Sequence, residues 1–255
     1  MTLLALDFDG VLCDSARETA ISGWRAGAAI WPDMSAPLPP DDLIQAYRLA
    51  RPMIETGHEA ILVMRLLKDG DFSPDFLEGF PEHKARLMRE AGRDREDLAR
   101  LYGVVRDHWI KADAEEWSAM SPLYPGVSAF LENPPALVDE YIITTKQERF
   151  VRRLLDYNGI RFPTERIFGL DRDAPKETVL LDLLTRYPDR RLYFIEDRLA
   201  TLTRVMARPE LAVVRPYLAD WGYNTRADRE SASELGIPTL NLHGLLALTF
   251  LEDNK

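Results

Sequence analysis

The stretch LLALDFDGVLCDS, residues 3 to 15, combines a buried strand with acids at its end. Its apolar run stops at Asp7, and a second acid, Asp9, follows two residues later. An uninterrupted apolar run of this kind is typical of a strand inside a parallel sheet. Because such sheets bind ligands beyond the carboxyl ends of their strands, the sequence predicts carboxylates at a binding edge.

Short apolar runs alternate with helical patterns through the C-terminal half of the chain. Two helices are predicted, at 149–160 and 176–188. Four further strands are predicted, at 139–146, 166–170, 191–197 and 211–218. This alternation is typical of βαβ units, so the predicted fold class is α/β, with a Rossmann-like parallel sheet.

Residues 16–121 differ from the rest, because they carry helical periodicities and no convincing strand. The segment SPLYPGV, 121–127, reads as a linker that returns to the α/β core. We predict an α/β core of residues 1–15 and 122–255, with an inserted helical cap domain of residues 16–121. The insertion is either a helical domain of unknown purpose or a cap that closes over the mouth of the sheet.

Composition limits the possible partners and environment. The chain has 255 residues, 46% of them hydrophobic, and a formal charge of -10, which disfavours nucleic acid and anionic membranes as partners. Its one cysteine, Cys13, cannot form an internal disulfide and is expected to be a packed thiol. No signal peptide is visible, and no stretch approaches the ~18 apolar residues of a membrane span. We predict a cytoplasmic monomer or homodimer.

Three of the predicted strands end in polar side chains. These are Asp7, Asp9, Thr144, Thr145, Glu196 and Asp197. If the strands are neighbours, four carboxylates converge, and they cannot all stay ionised without a counter-ion. Mg²⁺ suits such oxygen ligands best. A single acid could be a turn former or a helix cap, but three strands that end alike favour a metal site.

Lys176 opens the predicted helix 176–188. A cation at a helix N-terminus opposes the helix dipole, so this lysine does not serve helix stability. It can neutralise phosphate oxygens and the acid cluster together, although an isolated lysine is most often a solvated surface residue.

Taken together, these motifs resemble the haloacid dehalogenase superfamily. The resemblance is carried by DFDGV at 7–11, the hydroxyl at Thr144, Lys176, and the acid that follows LYFI at 192–195. The pieces YPGV and WGY (221–223) resemble its phosphoglycolate-phosphatase-like branch, whose members carry a helical cap after the first strand. The resemblance extends from Asp7 to about Tyr223.

The resemblance implies an Mg²⁺-dependent phosphatase that hydrolyses a small-molecule phosphomonoester. Asp7 would be the nucleophile, which forms an aspartyl-phosphate, and it would also be a metal ligand. Asp9 would be the general acid and base, and its backbone carbonyl would ligate the metal. The implied phosphate-binding residues are Thr144, Thr145 and Lys176, and Asp197 would hold the metal.

One departure from the family pattern concerns the metal site. Members often carry another acid three or four residues after the metal-binding aspartate, where this chain has Ala200 and Thr201. Glu196 stands where glycine or aspartate is more usual. Either Glu196 substitutes as a partner of the metal or its water, or the site binds Mg²⁺ with fewer acids.

Selectivity is expected to come from residues 16–121, because the core residues named above recognise only the phosphoryl group and the metal. Arg51, Glu55 and His58 follow an approximate i, i+4, i+7 spacing and could share a helical face, although Pro52 and Gly57 indicate an irregular or capped segment. Arg51 could then hold a second anionic group of the substrate. The alternative is a surface charge cluster beside a helix that begins at Pro52.

Two other functions fit the same core residues. A phosphosugar mutase would retain the phosphoryl group and transfer it, whereas a non-catalytic binding protein would use the fold alone. Asp9 separates the chain from true dehalogenases of the superfamily, which lack an acid at that position. The complete set of core residues favours the phosphatase.

Overall fold

Six parallel strands form one sheet in the computed structural model, which describes residues 1–70 and 76–251, with side chains left undescribed at 76–78. The order β3-β2-β1-β4-β5-β6 places β1 between β2 and β4. The predicted Rossmann-like α/β class is therefore confirmed. The strands are β1 (Thr2–Leu6), β2 (Val138–Ile143), β3 (Ile167–Phe168), β4 (Arg191–Glu196), β5 (Arg215–Ala219) and β6 (Thr239–Leu240).

The helices of the described residues fall into two groups. Those before β2 are α1 (Ala16–Ala28), α2 (Asp41–Ala50), α3 (Glu59–Asp69), α4 (Phe76–Ala91), α5 (Arg95–Ala112), α6 (Ala114–Ala119) and α7 (Val127–Glu132). Those after β2 are α8 (Glu148–Tyr157), α9 (Lys176–Arg186), α10 (Leu199–Met206), α11 (Arg226–Glu234) and α12 (Leu242–Ala247). Within residues 1–70 and 76–251, every helix is too short or too polar to span a bilayer.

Two strand predictions need correction, and one strand was not predicted. The strand predicted at 139–146 ends at Ile143, so its last three residues lie in the loop that follows. The strand predicted at 211–218 occupies Arg215–Ala219, because Pro209–Leu211 instead forms a 3₁₀ turn that ends the preceding helical segment. The edge strand β6 was not predicted, since it has only two residues and follows a proline. A strand this short carries no periodic pattern that the sequence could display.

One face of the sheet packs against α9, α10 and α11. Alternate residues of the central strands, among them Leu3 and Ala5 of β1 and Leu192 and Phe194 of β4, share a buried cluster with apolar residues of these helices. On the other face, Tyr193 packs edge-on against Phe250, with ring centroids 5.2 Å apart. With both faces covered, the strands read as continuous apolar runs.

The chain divides into two compact units. We call Met1–Asp14 with Leu123–Lys255 the sheet unit, and Ser15–Pro122 the helical unit. The predicted boundaries differ by one residue at each junction, because residues 15 and 122 belong to the helical unit. The action of the helical unit as a cap stays a prediction.

A buried ion pair lies in the interior of the helical unit. Glu18 of α1 is 0% exposed, and its carboxylate accepts two hydrogen bonds from Arg106 of α5, at 2.8 and 2.5 Å. Ser22 and Trp117 donate to the same carboxylate at 2.6 and 3.0 Å. The pair thus connects α1, α5 and α6 through bonds that are satisfied within the protein.

Removing the cation from this pair should destabilise the helical unit. Arg106→Met leaves Glu18 buried without its charge partner, which should lower the free energy of unfolding by about 3–5 kcal/mol. Urea unfolding followed by tryptophan fluorescence measures this, because four of the five tryptophans, at 24, 31, 109 and 117, lie in the helical unit.

A matched control is Arg86→Met on α4, whose ion pair with Glu90 is exposed. This variant should change the unfolding free energy by less than about 1 kcal/mol. The double variant Glu18→Leu with Arg106→Met should recover part of the loss, since it buries no unpaired charge. Equal changes in unfolding free energy for Arg106→Met and Arg86→Met would show that the buried pair stabilises the protein no more than an exposed pair does.

A second buried acid, Glu140, lies in the middle of β2 opposite Leu4 of β1. Its side chain is 3% exposed, and among the described residues its Oε1 atom has no hydrogen-bond partner. Burial raises the pKa of Glu140 to about 7, although the nearby Arg166 opposes the shift. The folded sheet therefore retains the proton of this carboxyl group up to near-neutral pH.

Glu140 should make the protein less stable at alkaline pH. The ordinary pKa of the group is 4.5 and the folded value is about 7, so its contribution is fully present below pH 4.5 and is lost as pH rises through 7. Glu140→Gln removes the titration. The stability of this variant relative to wild type should rise by about 2–3 kcal/mol between pH 4.5 and pH 8, in urea unfolding at each pH.

Glu132→Gln, at an exposed position of the sheet unit, is the matched control and is measured at the same pH values. A stability difference between Glu140→Gln and wild type that is constant with pH would contradict the raised pKa of Glu140.

Candidate active site

The sheet register brings the first and fourth strands to the same level at their carboxyl ends. Leu6 of β1 pairs with both Ile142 of β2 and Ile195 of β4. The backbone N–H of Asp7 continues this ladder and donates to the carbonyl of Ile195 at 3.0 Å. Asp7 therefore lies beside Glu196, the last residue of β4, as expected if the acid-ended strands are neighbours.

Lys176 bridges two of these acids. Its ammonium group, at the first residue of α9, donates to Asp7 Oδ1 and to Glu196 Oε2, both at 2.7 Å. Burial raises the pKa of Asp7 to about 6, and Lys176 limits the rise. Burial alone would lower the pKa of Lys176, but the charges of Asp7 and Glu196 hold it above its usual range. The lysine stays protonated at neutral pH.

A candidate metal centre is formed by Asp7, Glu196 and Asp197. All three are buried, and each offers a carboxylate oxygen within 4.8 Å of those of the other two. Three carboxylates beside one ammonium group, that of Lys176, leave a net charge of about -2, which one divalent cation would neutralise. The donors are all oxygen, so the residues fit Mg²⁺.

The loop after β5 holds Asp197 in place. The backbone N–H of Tyr223 donates to Asp197 Oδ2 at 2.7 Å, and the side chain of Asn224 donates to the carbonyl of Asp197 at 3.0 Å. Asn224 also donates to Ala219 at the end of β5. The loop of the neighbouring strand thus orients the carboxylate of Asp197.

Gly10 allows the loop after β1 to pass close to this acid. Its φ is +93°, and a Cβ atom there would lie 1.9 Å from Asp197 Oδ2. Only glycine fits both the backbone conformation and the space. The turn is closed by a hydrogen bond from Gly10 N–H to the carbonyl of Cys13, whose thiol is buried as predicted.

The second acid of the DFDG motif, Asp9, pairs with a residue that the sequence analysis did not select. Lys146 donates to Asp9 Oδ1 at 2.8 Å, and the lysine side chain is 1% exposed. Lys146 lies in the loop after β2, two residues beyond Thr144. Its only sequence signal was its position directly after the strand-end threonines.

Thr144 and Thr145 follow β2 directly. Thr144 is buried, and its Oγ1 accepts a hydrogen bond from the backbone N–H of Lys146 at 3.1 Å. Thr145 is half-buried. The structure thus places both threonines in the loop that carries Lys146. Their binding of phosphate stays a prediction.

The structure contradicts the predicted helical face of Arg51, Glu55 and His58. One 3₁₀ turn covers Arg51–Met53, and the chain is extended at Ile54, with φ -84° and ψ 117°. Helix α3 begins only after His58. The three residues therefore do not share a helix.

The cause is a local cap on α3. The carboxylate of Glu59, its first residue, accepts hydrogen bonds from the backbone N–H groups of Glu55 and Thr56, at 2.7 and 3.1 Å. These N–H groups would bond to carbonyls four residues earlier in a continuous helix. The side chain of Glu59 therefore fixes a loop where the spacing alone indicated a helix.

The three residues also differ in their surroundings. Arg51 is buried and donates to the carbonyl of Ile54 at 3.1 Å, whereas Glu55 is exposed. Burial lowers the pKa of His58 to about 4, so its imidazole is neutral at neutral pH. A substrate contact by any of the three stays a prediction.

Solved structures with the same fold match nearly the whole chain. A haloacid dehalogenase-like hydrolase from Streptococcus pneumoniae is 17% identical, with a TM-score of 0.55 and 98% of each chain covered. A protein from Haemophilus somnus, described as a "predicted phosphoglycolate phosphatase", is 15% identical, with a TM-score of 0.59 and 98% of each chain covered. A HAD family hydrolase from Deinococcus radiodurans, solved with bound phosphate and sodium, is 16% identical, with a TM-score of 0.54 and coverage of 99% of this chain and 96% of its own.

These likenesses show the fold. The chain has the fold of haloacid dehalogenase-like proteins, as the sequence motifs predicted. No protein-family model and no curated protein sequence matches the chain.

Loss of the Glu196 charge should weaken metal binding. In Glu196→Gln the candidate centre loses one of its three carboxylates, so the Mg²⁺ dissociation constant should rise about 10- to 100-fold. Isothermal titration of the substrate-free protein with MgCl₂ measures this without reference to activity.

Glu140→Gln is the matched control, since it removes a buried carboxyl group of the same sheet at a distance from the carboxyl edge. Its Mg²⁺ affinity should equal that of wild type. Unchanged affinity in Glu196→Gln would restrict Glu196 to its ion pair with Lys176.

Proposed function

We propose that this chain is a Mg²⁺-dependent phosphatase that hydrolyses a small-molecule phosphomonoester through an aspartyl-phosphate on Asp7. The observation that carries the proposal is the pair of aspartates after β1, each paired with a different lysine, Asp7 with Lys176 and Asp9 with Lys146. Structural neighbours described as hydrolases, one of them solved with bound phosphate, support it.

In the first step, a carboxylate oxygen of Asp7 attacks phosphorus and the P–O bond to the leaving group breaks. Lys176 fixes Oδ1 of Asp7 through a 2.7 Å hydrogen bond, which orients the carboxylate for attack. Asp9, two residues later, gives a proton to the leaving alkoxide. General acid–base catalysis of this kind typically increases the reaction rate about 10²- to 10⁴-fold.

In the second step, water attacks the phosphorus of the aspartyl-phosphate and Asp9 takes its proton. The bond between phosphorus and the Asp7 oxygen breaks, so inorganic phosphate leaves and the carboxylate is restored. The same carboxyl group thus acts first as acid and then as base, and each turnover returns it to its initial state.

Charge neutralisation is the main electrostatic requirement of this reaction. Mg²⁺, when bound by Asp7, Asp197 and Glu196, supplies positive charge against the carboxylates and the phosphoryl group. Lys176 supplies the remaining positive charge beside Asp7. Thr144 and Thr145 would donate hydrogen bonds to the phosphoryl oxygens from the loop after β2.

The substrate proposed is a small diffusible molecule. The helical unit is inserted into the sequence directly after the loop that carries Asp7 and Asp9. We take this insertion as a cap that admits metabolites and not protein phosphosites. A phosphosugar mutase remains the alternative, since the same residues can transfer a phosphoryl group instead of releasing it.

Asp7 should be indispensable. A screen of metabolite phosphomonoesters with Mg²⁺ identifies the substrate through phosphate release. Asp7→Asn should abolish release, because the amide cannot attack phosphorus, and Asp9→Asn should lower the rate about 10²- to 10⁴-fold. Acid-quenched wild type should carry one phosphoryl group on the peptide that contains Asp7, as detected by mass spectrometry.

Asp182→Asn, on the exposed side of α9, serves as the control and should retain the wild-type rate. Circular dichroism checks that each variant is folded. Activity of Asp7→Asn near the wild-type rate would refute the covalent mechanism. Formation of an isomeric phosphate ester in place of free phosphate would assign the chain to the mutases.

A further inference from the structure

Lys146 is a buried cation at the candidate site, and the reaction steps proposed above give it no role. Its ammonium group lies 2.8 Å from Asp9 Oδ1, and its side chain is as buried as those of the sheet interior. When a lysine is buried in this way, its side chain loses rotational freedom and its ammonium group loses hydration, and both losses cost free energy. A pair with this cost, on the residue proposed to move protons, indicates a function.

The backbone of Lys146 is fixed from two sides. Its N–H donates to Thr144 Oγ1 at 3.1 Å, and its carbonyl accepts from the N–H of Leu170 at 3.1 Å. Gly169 lies so close that a Cβ atom there would be 2.7 Å from the Lys146 carbonyl oxygen. The loops after β2 and β3 therefore hold the base of the side chain, and its far end reaches the loop after β1.

We infer that Lys146 is a positioning residue for Asp9, which holds the carboxyl group at the place where it exchanges a proton with the leaving group. The inference rests on the proposed function, because it takes Asp9 as the general acid and base. Lys146 itself need not touch the phosphoryl group. Its effect should therefore depend on how much the leaving group needs a proton.

Two esters of similar size distinguish the positioning of Asp9 from phosphate binding or loop support by Lys146. Benzyl phosphate leaves as an alkoxide and needs protonation, whereas p-nitrophenyl phosphate leaves as a stabilised phenolate and needs little. Both carry the same phosphoryl group. A lysine that binds phosphate, or one that only supports the loops, should affect the two esters equally. A lysine that positions Asp9 should affect benzyl phosphate more.

The experiment compares kcat/KM of wild type and Lys146→Met on both esters with saturating Mg²⁺. This ratio reports steps up to the first P–O cleavage and so leaves out hydrolysis of the intermediate. Misplacement of a catalytic group by about 1 Å costs about 100-fold. We expect a loss of about 10- to 100-fold on benzyl phosphate and less than about 3-fold on p-nitrophenyl phosphate. Lys146→Arg, which keeps the charge, should restore part of the loss on benzyl phosphate.

The matched control is Arg172→Met. Arg172 pairs with Glu148, so it connects the segment after β3 to the start of α8, next to the loop that carries Lys146. Any loss in this variant should be equal on the two esters. If Lys146→Met does not fold, as judged by circular dichroism, Lys146→Gln is assayed in the same way.

The outcomes distinguish the inference from the function on which it rests. Equal losses on both esters in the Lys146 variants, with an active wild type, overturn the inference and leave the phosphatase proposal intact. A wild type that hydrolyses neither these esters nor any member of the metabolite panel overturns both. A selective loss on benzyl phosphate, absent in Arg172→Met, supports the inference.

Discussion

The ammonium group of Lys176 between Asp7 and Glu196 is the interaction on which the site depends. Parallel strands β1 and β4 are neighbours in register, so residues that follow them arrive at one place. Acids at both ends would repel each other in a buried setting. Lys176 reduces this repulsion from the start of α9. It does so at a helix N-terminus, against the helix dipole, which indicates that the acid cluster decides its position.

Three loops at the carboxyl edge contribute to the same small region through different contacts. The loop after β2 supplies Lys146 to Asp9, and the loop after β5 supplies the N–H of Tyr223 to Asp197. Gly10 lets the loop after β1 pass against Asp197. The site is therefore a product of sheet order, because β1 lies at the centre with β2 on one side and β4 and β5 on the other.

Much of this arrangement could be predicted from the sequence, and the part that could not has a physical reason. The strand ends at Asp7, Thr144 and Glu196 are visible because buried strands are continuous apolar runs, and the sheet class follows from their alternation with helices. Lys146 and Tyr223 act through contacts between loops that are distant in the chain. The piece WGY at 221–223 carries part of the family resemblance, but no local pattern shows which loops meet. The spacing of Arg51, Glu55 and His58 indicated a helix, but the side chain of Glu59 bonds the N–H groups that a helix would need.

The two units use buried charge in opposite ways. In the helical unit, the Glu18 carboxylate accepts bonds from Arg106, Ser22 and Trp117, and one acid meets one base. At the sheet edge, the four acids Asp7, Asp9, Glu196 and Asp197 meet two lysines, Lys146 and Lys176. A balanced pair is sufficient to join helices. An excess of buried negative charge has a cost in folding that a bound cation would remove. The imbalance at the sheet edge is therefore the strongest physical reason, independent of any resemblance, to look for a divalent cation at this site.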